Sequence, residues 1–424
     1  MNTPAPLLYS RNDTASTDFS SWQFWIDRGG TFTDIVALAP TGELLTRKLL
    51  SENPAQYADA AVEGIRRIAG DQQSTTATPF LIRMGTTVAT NALLERKGDP
   101  TLLLITQGFA DALRIGYQNR PHLFSLQIEL PDMLYSSVVE VQERISATGE
   151  VLQPLQPSAM VAGMQNALQQ GIRSIAIVFM HGYRYSRHEV EAATLARQLG
   201  FSQVSCSHQV SPLMKLVSRG DTTVVDAYLS PIIRRYVQRF ALALKQINPA
   251  QNRLQFMQSS GGLTDANQFE GKDAILSGPA GGVVGMVTTA KLAGYERLIG
   301  FDMGGTSTDV CHYAGDYERS FETQLAGVRM RAPMMRIHTV AAGGGSILQF
   351  DGARFRVGPE SAGANPGPAS YGNLGPLCVT DCNIMLGKIQ PEYFPKVFGP
   401  EADQALDVTA VKQGFHALAK QITS

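Results

Sequence analysis

The chain has 424 residues, enough for two or three domains with separate cores. Its 36 basic and 37 acidic residues leave a formal net charge of −1, which gives no electrostatic footprint for nucleic acid or an anionic membrane. Four cysteines are too few for a disulfide framework, the apolar runs are shorter than a membrane span, and residues 1–20 lack the pattern of a signal peptide. Composition therefore predicts a folded cytoplasmic protein.

Strand-like and helix-like segments alternate along the chain, after a polar stretch, residues 1–21, that we expect to be a loose leader. The predicted strands are, in chain order, WQFWID and DIVAL near the start, TLLLIT (101–106), SIAIVFM (174–180) and RLIGFDM (297–303). The predicted helices are 60–70, 188–200 with Gly200 as the cap, 221–247 with Pro231 beginning a second helix or kinking the first, 278–294 and 407–422. This alternation predicts an α/β protein.

One short pattern occurs twice: IDRGGTFTDIV (26–36) and FDMGGTSTDVC (301–311). Six of the 11 positions are identical, and the two copies lie 275 residues apart (302 minus 27). A separation of this size is domain spacing rather than a short repeat. We therefore expect two similar domains, residues 22–210 and residues 211–424.

Each copy predicts a tight hairpin that binds phosphate. Its glycines allow backbone N–H groups to approach an anion closely, and its threonines add hydroxyl donors. An aspartate at the end of the first strand, Asp27 or Asp302, suits a hydrated Mg²⁺ that bridges phosphate oxygens. The alternative for one copy alone is a plain β-hairpin, since Gly-Gly is common in turns. Two copies with the same spacing favour a clamp around a nucleotide.

A third glycine run, TVAAGGGSI (339–347), follows an apolar stretch. It could let the backbone lie against adenine or ribose, and a glycine loop without a ligand is the alternative. With the two hairpins, it would complete a nucleotide site.

These three features resemble the actin-like ATPase and sugar-kinase superfamily, and the wider match is to its hydantoinase/5-oxoprolinase family. The segments that carry the resemblance are GTTVATNALLERKG (85–98), IGYQNRPHLFSL (115–126), LSGPAGGVVG (276–285), GFDMGGTSTDV (300–310), AAGGGSI (341–347) and VGPESAGANPGPASYG (357–372). The segments LYSSVVEVQERI (134–145) and YERSFETQLAGVRMRAP (317–333) look most like the oxoprolinase members. The resemblance implies duplicated actin-like (ribonuclease H-like) ATPase domains with a nucleotide cleft between them, the second expected to be incomplete.

The resemblance also implies an activity: the ATP-driven hydrolytic opening of 5-oxo-L-proline to L-glutamate, with ATP and Mg²⁺ as cofactors. Asp27 and Asp302 would hold the metal ion. The phosphates would lie against Gly29, Gly30, Thr31, Thr33, Gly304, Gly305, Thr306 and Thr308, and the nucleoside against Gly343, Gly344 and Gly345. The lactam candidates are Arg28, Thr87, Asn91 and Arg120, whose guanidinium matches a carboxylate.

Several functions remain open within this resemblance. Family members of this type work with a B-type subunit or domain, which is expected to complete the hydrolysis, and a homo-oligomer is compatible with the sequence. The substrate could instead be hydantoin or N-methylhydantoin, or the chain could be a ketone carboxylase subunit. A chain of another class, a non-catalytic nucleotide-binding fragment, is the remaining alternative.

Overall fold

The computed structural model describes residues 21–70, 78–118, 124, 126–128, 130, 132–399 and 401–423. Residues 1–20 of the expected leader and Arg120 of the expected lactam site lie outside these ranges. The described chain mixes helices and strands throughout, which confirms the α/β class.

The strands are β1 Gln23–Arg28, β2 Phe32–Leu38, β3 Leu44–Leu50, β4 Leu81–Thr86, β5 Thr101–Thr106, β6 Ser137–Val141, β7 Arg144–Ile145, β8 Val151–Gln153, β9 Ser174–Val178, β10 Gln203–Cys206, β11 Arg253–Met257, β12 Leu263–Asp265, β13 Arg297–Met303, β14 Thr308–Ala314, β15 Arg319–Ser320, β16 Thr323–Leu325, β17 Val328–Met330, β18 Met334–Met335, β19 Ile337–Val340, β20 Ser346–Phe350 and β21 Phe355–Ser361. The helices are α1 Ala60–Ala69, α2 Val88–Leu94, α3 Ala112–Ile115, α4 Pro157–Gln169, α5 Arg187–Leu199, α6 Ser207–Val210, α7 Leu216–Ile247, α8 Ser277–Leu292, α9 Val379–Met385 and α10 Val408–Thr423. Short 3₁₀ turns lie at Ala266–Gln268, Gly271–Asp273 and Ala369–Tyr371.

The first glycine pattern lies in a six-stranded mixed sheet with the order β12-β11-β4-β1-β2-β3. β1 and β2 form the antiparallel hairpin, and β4 and β11 continue the sheet in parallel beyond β1. Apolar residues on one face, such as Phe24, Ile26 and Ile35, are buried against α1 and α7 in the main core. The expected boundary near residue 210 is therefore not a boundary between sheets, because β11 and β12 come from the later part of the chain.

A second sheet, β10-β9-β5-β6, is entirely parallel and is inserted between β4 and β11 in the chain. Its strands SIAIV and TLLLIT are fully buried, as continuous apolar runs predict. Helices α4 and α5 cover one face with a separate core, and α7 packs against the sheet from the main core. Pro231 lies inside α7, which runs as one helix of 32 residues.

The second glycine pattern lies in a three-stranded antiparallel sheet, β13-β14-β19. This sheet repeats the arrangement β1-β2-β3, and α8 packs against both sheets, since it contacts β4 and β11 on one side and β13 and β14 on the other. The repeat differs in its surroundings. Ile299 and Phe301 are 77% and 70% exposed, whereas Phe24 and Ile26, at the same positions of the first hairpin, are 0% and 3% exposed.

The residues after β19 form a smaller unit that packs on the first hairpin. Tyr371, Phe398 and Val411 belong to its core, and Phe32, at the turn of the first hairpin, lies against that core. The Phe32 ring is 6.0 Å from that of Tyr371 and 6.3 Å from that of Phe398. The last part of the chain therefore supports the first glycine pattern. Within the described residues, no helix combines the length and the apolar character that crossing a membrane requires.

Candidate nucleotide site

The two glycine patterns form hairpins with the same register. Asp27 is paired with Asp34 across the first hairpin, and Asp302 with Asp309 across the second. The turns also close in the same way: the Gly29 amide donates to the Phe32 carbonyl at 3.0 Å, and the Gly304 amide donates to the Ser307 carbonyl at 2.9 Å. The prediction of two equivalent hairpins is confirmed.

The tips of the two hairpins touch. A side chain placed on Gly305 would overlap the Thr31 hydroxyl, and a Cβ placed on Gly30 would lie 3.8 Å from the Thr306 hydroxyl. A larger residue at 305 would displace the Thr31 side chain, because the first hairpin approaches Gly305 so closely. Both tips lie at one point of the molecule, as a clamp requires.

Several donors at this point have no hydrogen-bond partner in the part of the chain that the structure describes. The Thr31 side chain is 5% exposed, and its hydroxyl makes no hydrogen bond with the described residues. The amides of Gly30, Thr31, Gly305 and Thr306 likewise make no backbone hydrogen bond within the described chain. Buried polar groups are usually satisfied, and successive free amides form an anion-binding concavity. These groups fit a bound phosphate chain.

Three carboxylates and one ammonium group set the electrostatics. Partial burial and the neighbouring carboxylates of Asp34 and Asp302 together raise the pKa of Asp27 to about 6, and the Lys48 ammonium opposes them. Lys48 is itself held by Asp34, with Nζ–O distances of 2.7 and 2.8 Å. A carboxylate whose charge is disfavoured in this way gains from a divalent cation. Among the described side chains, no three of His, Cys, Asp or Glu lie close enough together to hold a metal ion by themselves.

The end of β4 and the start of α8 also lie next to Asp27. The amide of Thr86 donates to the Ser277 hydroxyl at 3.1 Å, so that the loop after β4 is joined to the start of α8. A Cβ placed on Gly278 would lie 3.5 Å from Asp27 Oδ1 and 3.6 Å from the methyl group of Thr87. The segment LSGPAGG, recognised only as a family signature, therefore lies at the carboxylate.

The expected lactam residues within the described chain lie along the end of β1 and the start of α2. Arg28 follows Asp27 in the strand and points to the opposite face. Its guanidinium lies 5.4 Å from the ring of Tyr236, and its Nε is buried without a hydrogen-bond partner. Thr87 lies close to both, since its hydroxyl donates to the Arg28 carbonyl at 3.2 Å. Asn91 is one turn farther along α2, where its amide donates to the Thr87 carbonyl.

The third glycine run packs directly behind the second hairpin. The amides of Gly344 and Gly345 donate to the carbonyls of Gly304 and Gly305 at 2.9 and 2.7 Å. A Cβ on Gly343 would lie 2.7 Å from the same backbone, so close approach explains this glycine without a ligand. The expected contact of the run with a nucleoside stays a prediction.

The remaining hydroxyls of the two patterns are already bonded within the protein. Thr33 is fully buried and lies 3.0 Å from the Ser51 hydroxyl. Thr308 donates to the carbonyl of Ala342 at 2.6 Å. These two threonines hold the hairpins in place, whereas Thr31 and Thr306 lie at the tips.

Sequence reasoning missed Ser51, Lys48 and the pair Ser277–Gly278. Ser51 and Lys48 come from the ordinary strand segment LLTRKLLS, which contains no motif. Ser277 and Gly278 belong to a segment that the resemblance did include, and the proximity of that segment to Asp27 could have been suspected from it alone.

Two solved structures share this fold over nearly the whole chain. An acetone carboxylase structure superposes with a TM-score of 0.76 over 95% of this chain and 59% of the other, at 22% identity, which shows the fold alone. An ATP-dependent caprolactamase from Pseudomonas jessenii superposes with a TM-score of 0.71 over the same shares, at 31% identity.

Family profiles cover most of the chain. Residues 23–200 match the hydantoinase/oxoprolinase N-terminal region, and residues 219–424 match hydantoinase/oxoprolinase. The chain belongs to the hydantoinase/oxoprolinase family.

Among curated relatives, 5-oxoprolinase 1 of Arabidopsis thaliana is 47% identical over 94% of this chain and 34% of its own length. The 5-oxoprolinase of Dictyostelium discoideum is 42% identical over 95% of this chain and 35% of its own length. The caprolactamase subunit alpha of P. jessenii is 34% identical over 86% of this chain and 54% of its own length. The chain thus spans about a third of the length of the 5-oxoprolinases that it matches.

Proposed function

We propose that this chain binds ATP and phosphorylates the lactam oxygen of 5-oxo-L-proline in the ATP-dependent opening of that ring to L-glutamate. The observation that carries the proposal is the meeting of the two hairpin tips, where unpartnered amides and the buried Thr31 hydroxyl lie beside the Asp27 carboxylate. The names of the relatives supply the substrate, since several of them are 5-oxoprolinases.

The arrangement supports a nucleotide clamp of the actin-like kind. In this proposal each hairpin, with its third strand, is the start of one ribonuclease H-like domain, and the phosphates of ATP lie between the tips. Gly29, Gly30 and Thr31 would hold them from one side and Gly304, Gly305 and Thr306 from the other. Preorganised amides of this kind stabilise the charge of a transferring phosphoryl group without reorganisation.

Asp27 and Asp302 would hold Mg²⁺ together with phosphate oxygens and water. The donor set fits, because hard carboxylate oxygens are Mg²⁺ ligands and the ion needs few of them from the protein when phosphates supply others. When bound, Mg²⁺ neutralises phosphate charge. The contribution of the chain is to keep Asp27 and Asp302 near each other at the tips.

The chemistry requires an activated lactam. Its oxygen attacks the γ-phosphorus, the bond to the bridging oxygen of ADP breaks, and ADP leaves. Water then adds to the activated ring carbon, and the ring C–N bond breaks with protonation of nitrogen, which leaves an acyl phosphate at the γ-carboxyl. A second water cleaves this acyl phosphate, and phosphate and L-glutamate are released. The protein aids the first step mainly by positioning.

The lactam would lie beside the first hairpin, within reach of Thr87 just before α2 and Asn91 on α2, with Arg28 or Arg120 for its carboxylate. The unpartnered Nε of Arg28 supports a polar ligand on that face of β1. The hydrolytic step would need a B-type subunit or domain. The name caprolactamase subunit alpha shows that one relative works as part of a larger assembly.

The experiment is the release of ADP from Mg-ATP by the purified chain, with 5-oxoproline, hydantoin or caprolactam added, and with a B-type subunit in a parallel series. We expect ADP release that depends on 5-oxoproline. Caprolactam dependence would favour the second candidate, a lactamase of other ring size, which the caprolactamase relative supports. No lactam-dependent ADP release in either series would contradict the proposed activity.

A further inference from the structure

The two hairpins are supported from behind in equivalent ways. In the first repeat, the third strand β3 ends at Leu50, and the next residue is Ser51. In the second repeat, the third strand β19 ends at Val340, and the glycine run Gly343–Gly345 follows it. The register agrees, because Lys48 is opposite Asp34 and Thr339 is opposite Asp309. By this register Ser51 corresponds to Ala342, the residue directly before the glycine run, so the two segments follow the third strand at nearly the same place.

Ser51 makes three contacts with the first hairpin. Its hydroxyl donates to the Gly29 carbonyl at 2.7 Å, and its amide donates to the Thr31 carbonyl at 2.9 Å. Since the single hydroxyl proton of Ser51 goes to Gly29, the Thr33 hydroxyl at 3.0 Å is the donor in the third contact. Ser51 is 5% exposed, so it cannot itself contact a ligand freely.

These contacts determine which groups of the tip face the cleft. Peptide N–H and C=O groups point in opposite directions, so a carbonyl held on one side turns the next amide to the other. With the Gly29 carbonyl turned towards Ser51, the amide of Gly30 faces away from it and makes no hydrogen bond to the described residues. Behind the second hairpin, the Gly344 amide holds the Gly304 carbonyl in the same way, and within the described chain the amide of Gly305 has no hydrogen-bond acceptor.

We propose that Ser51 is a positioning residue that presents the amides of the first hairpin to phosphate, and that Gly343–Gly345 is its counterpart behind the second hairpin. This rests on the proposed nucleotide clamp. In this proposal the glycine run supports the second hairpin, whose amides bind phosphate, and the run does not itself contact the nucleoside. Gly343 must be glycine because the hairpin backbone of Gly304 and Gly305 occupies the space of a side chain.

The test is calorimetric titration of the full chain with ATP and with adenosine in the presence of Mg²⁺, for the wild type, Ser51→Ala, Ser51→Thr and Gly343→Ala. The matched control is Ser174→Ala. Ser174 lies in β9 of the parallel sheet, is 1% exposed, and donates its hydroxyl proton to the carbonyl of Ala227 in α7. We expect Ser51→Ala and Gly343→Ala to weaken ATP binding by about tenfold, and to leave adenosine binding unchanged. Ser51→Thr keeps the hydroxyl and should stay within about threefold of the wild type.

Each outcome decides the proposal. Unchanged ATP affinity in Ser51→Ala, or an equal loss in Ser174→Ala, overturns the role of Ser51 and leaves the proposed function intact. Loss of adenosine binding in Gly343→Ala would indicate that the glycine run contacts the nucleoside, and it overturns the role of the run as the counterpart of Ser51. A wild-type chain that binds no ATP overturns the proposed function, and the positioning role with it.

Discussion

Thr31 and Gly305 are in contact although 274 positions separate them (305 minus 31), because each lies at the tip of one of two equivalent hairpins. The hydroxyl of Thr31 occupies the place of a side chain at Gly305 and has no other partner among the described residues. At this contact Asp302 lies close enough to Asp27 for its charge to help raise the pKa of Asp27.

Replacing Asp27 or Asp302 by asparagine should weaken the dependence of ATP binding on Mg²⁺. An amide keeps the shape of the side chain but supplies no charge to a hydrated cation. We expect each variant to lose at least about tenfold in Mg-ATP affinity, measured by calorimetry with and without Mg²⁺. The control is Asp265→Asn, since Asp265 is an exposed residue that caps a short 3₁₀ turn. An unchanged Mg²⁺ dependence in both variants would exclude these aspartates as the metal site.

Mg-ATP binding should also weaken as pH falls through about 6, the raised pKa of Asp27. Below that pH the folded protein holds a proton on Asp27, which Mg²⁺ must displace. ATP titrates in the same range, so the useful quantity is the difference between the pH profiles of the wild type and Asp27→Asn. A difference that does not vary between pH 5 and pH 7 would contradict the assignment.

Asp27 should make stability depend on pH in the opposite direction to a salt-bridged aspartate. The native pKa is above the usual 3.8, so between about pH 4 and pH 6 the native state binds more protons than the unfolded state. The contribution of Asp27 to stability is therefore present below pH 4 and is lost as pH rises to 6. Asp27→Asn should reduce this decline, as urea unfolding at several pH values would show. A steeper decline in the variant would contradict this sign.

The ion pair between Arg329 and Asp221 joins β17 to α7, with Nε–Oδ2 at 2.9 Å and side chains 19% and 10% exposed. Arg329→Ala leaves a largely buried carboxylate whose pKa burial already raises to about 6. We expect it to lower the free energy of unfolding by about 2–4 kcal/mol near neutral pH. The control is Arg235→Ala, which breaks a more exposed pair with Asp99 and should cost less than about 1 kcal/mol. Equal costs in the two variants would contradict the prediction.

Ile26 and Phe301 occupy the same position in the two hairpins but differ in burial. Ile26→Ala should lower the free energy of unfolding by about 2–4 kcal/mol, because the main core loses a buried side chain. Phe301→Ala should change it by less than about 1 kcal/mol, because the ring is already in solvent. Urea unfolding of both variants measures the difference. A large cost for Phe301→Ala would show that this face is covered in solution.

The sequence by itself determined the local features of this protein. The repeated Asp-X-Gly-Gly-Thr pattern predicted both hairpins, and the apolar runs predicted the buried strands β5 and β9, because hydrophobic spacing and glycine conformation act over a few neighbouring residues. It also carried the family resemblance. The prediction that Gly200 ends α5 is confirmed, since Gly200 has a left-handed conformation there.

Only the tertiary structure decided which distant segments meet. It joined β11 to the first sheet across the expected domain boundary, separated Arg28 from Asp27 on opposite faces of β1, and placed the third glycine run behind the second hairpin. It also brought Ser51, which belongs to no motif, against the Gly29 carbonyl, and the start of α8 against Asp27. These contacts depend on strand order and packing between residues far apart in the chain, and no local pattern encodes them.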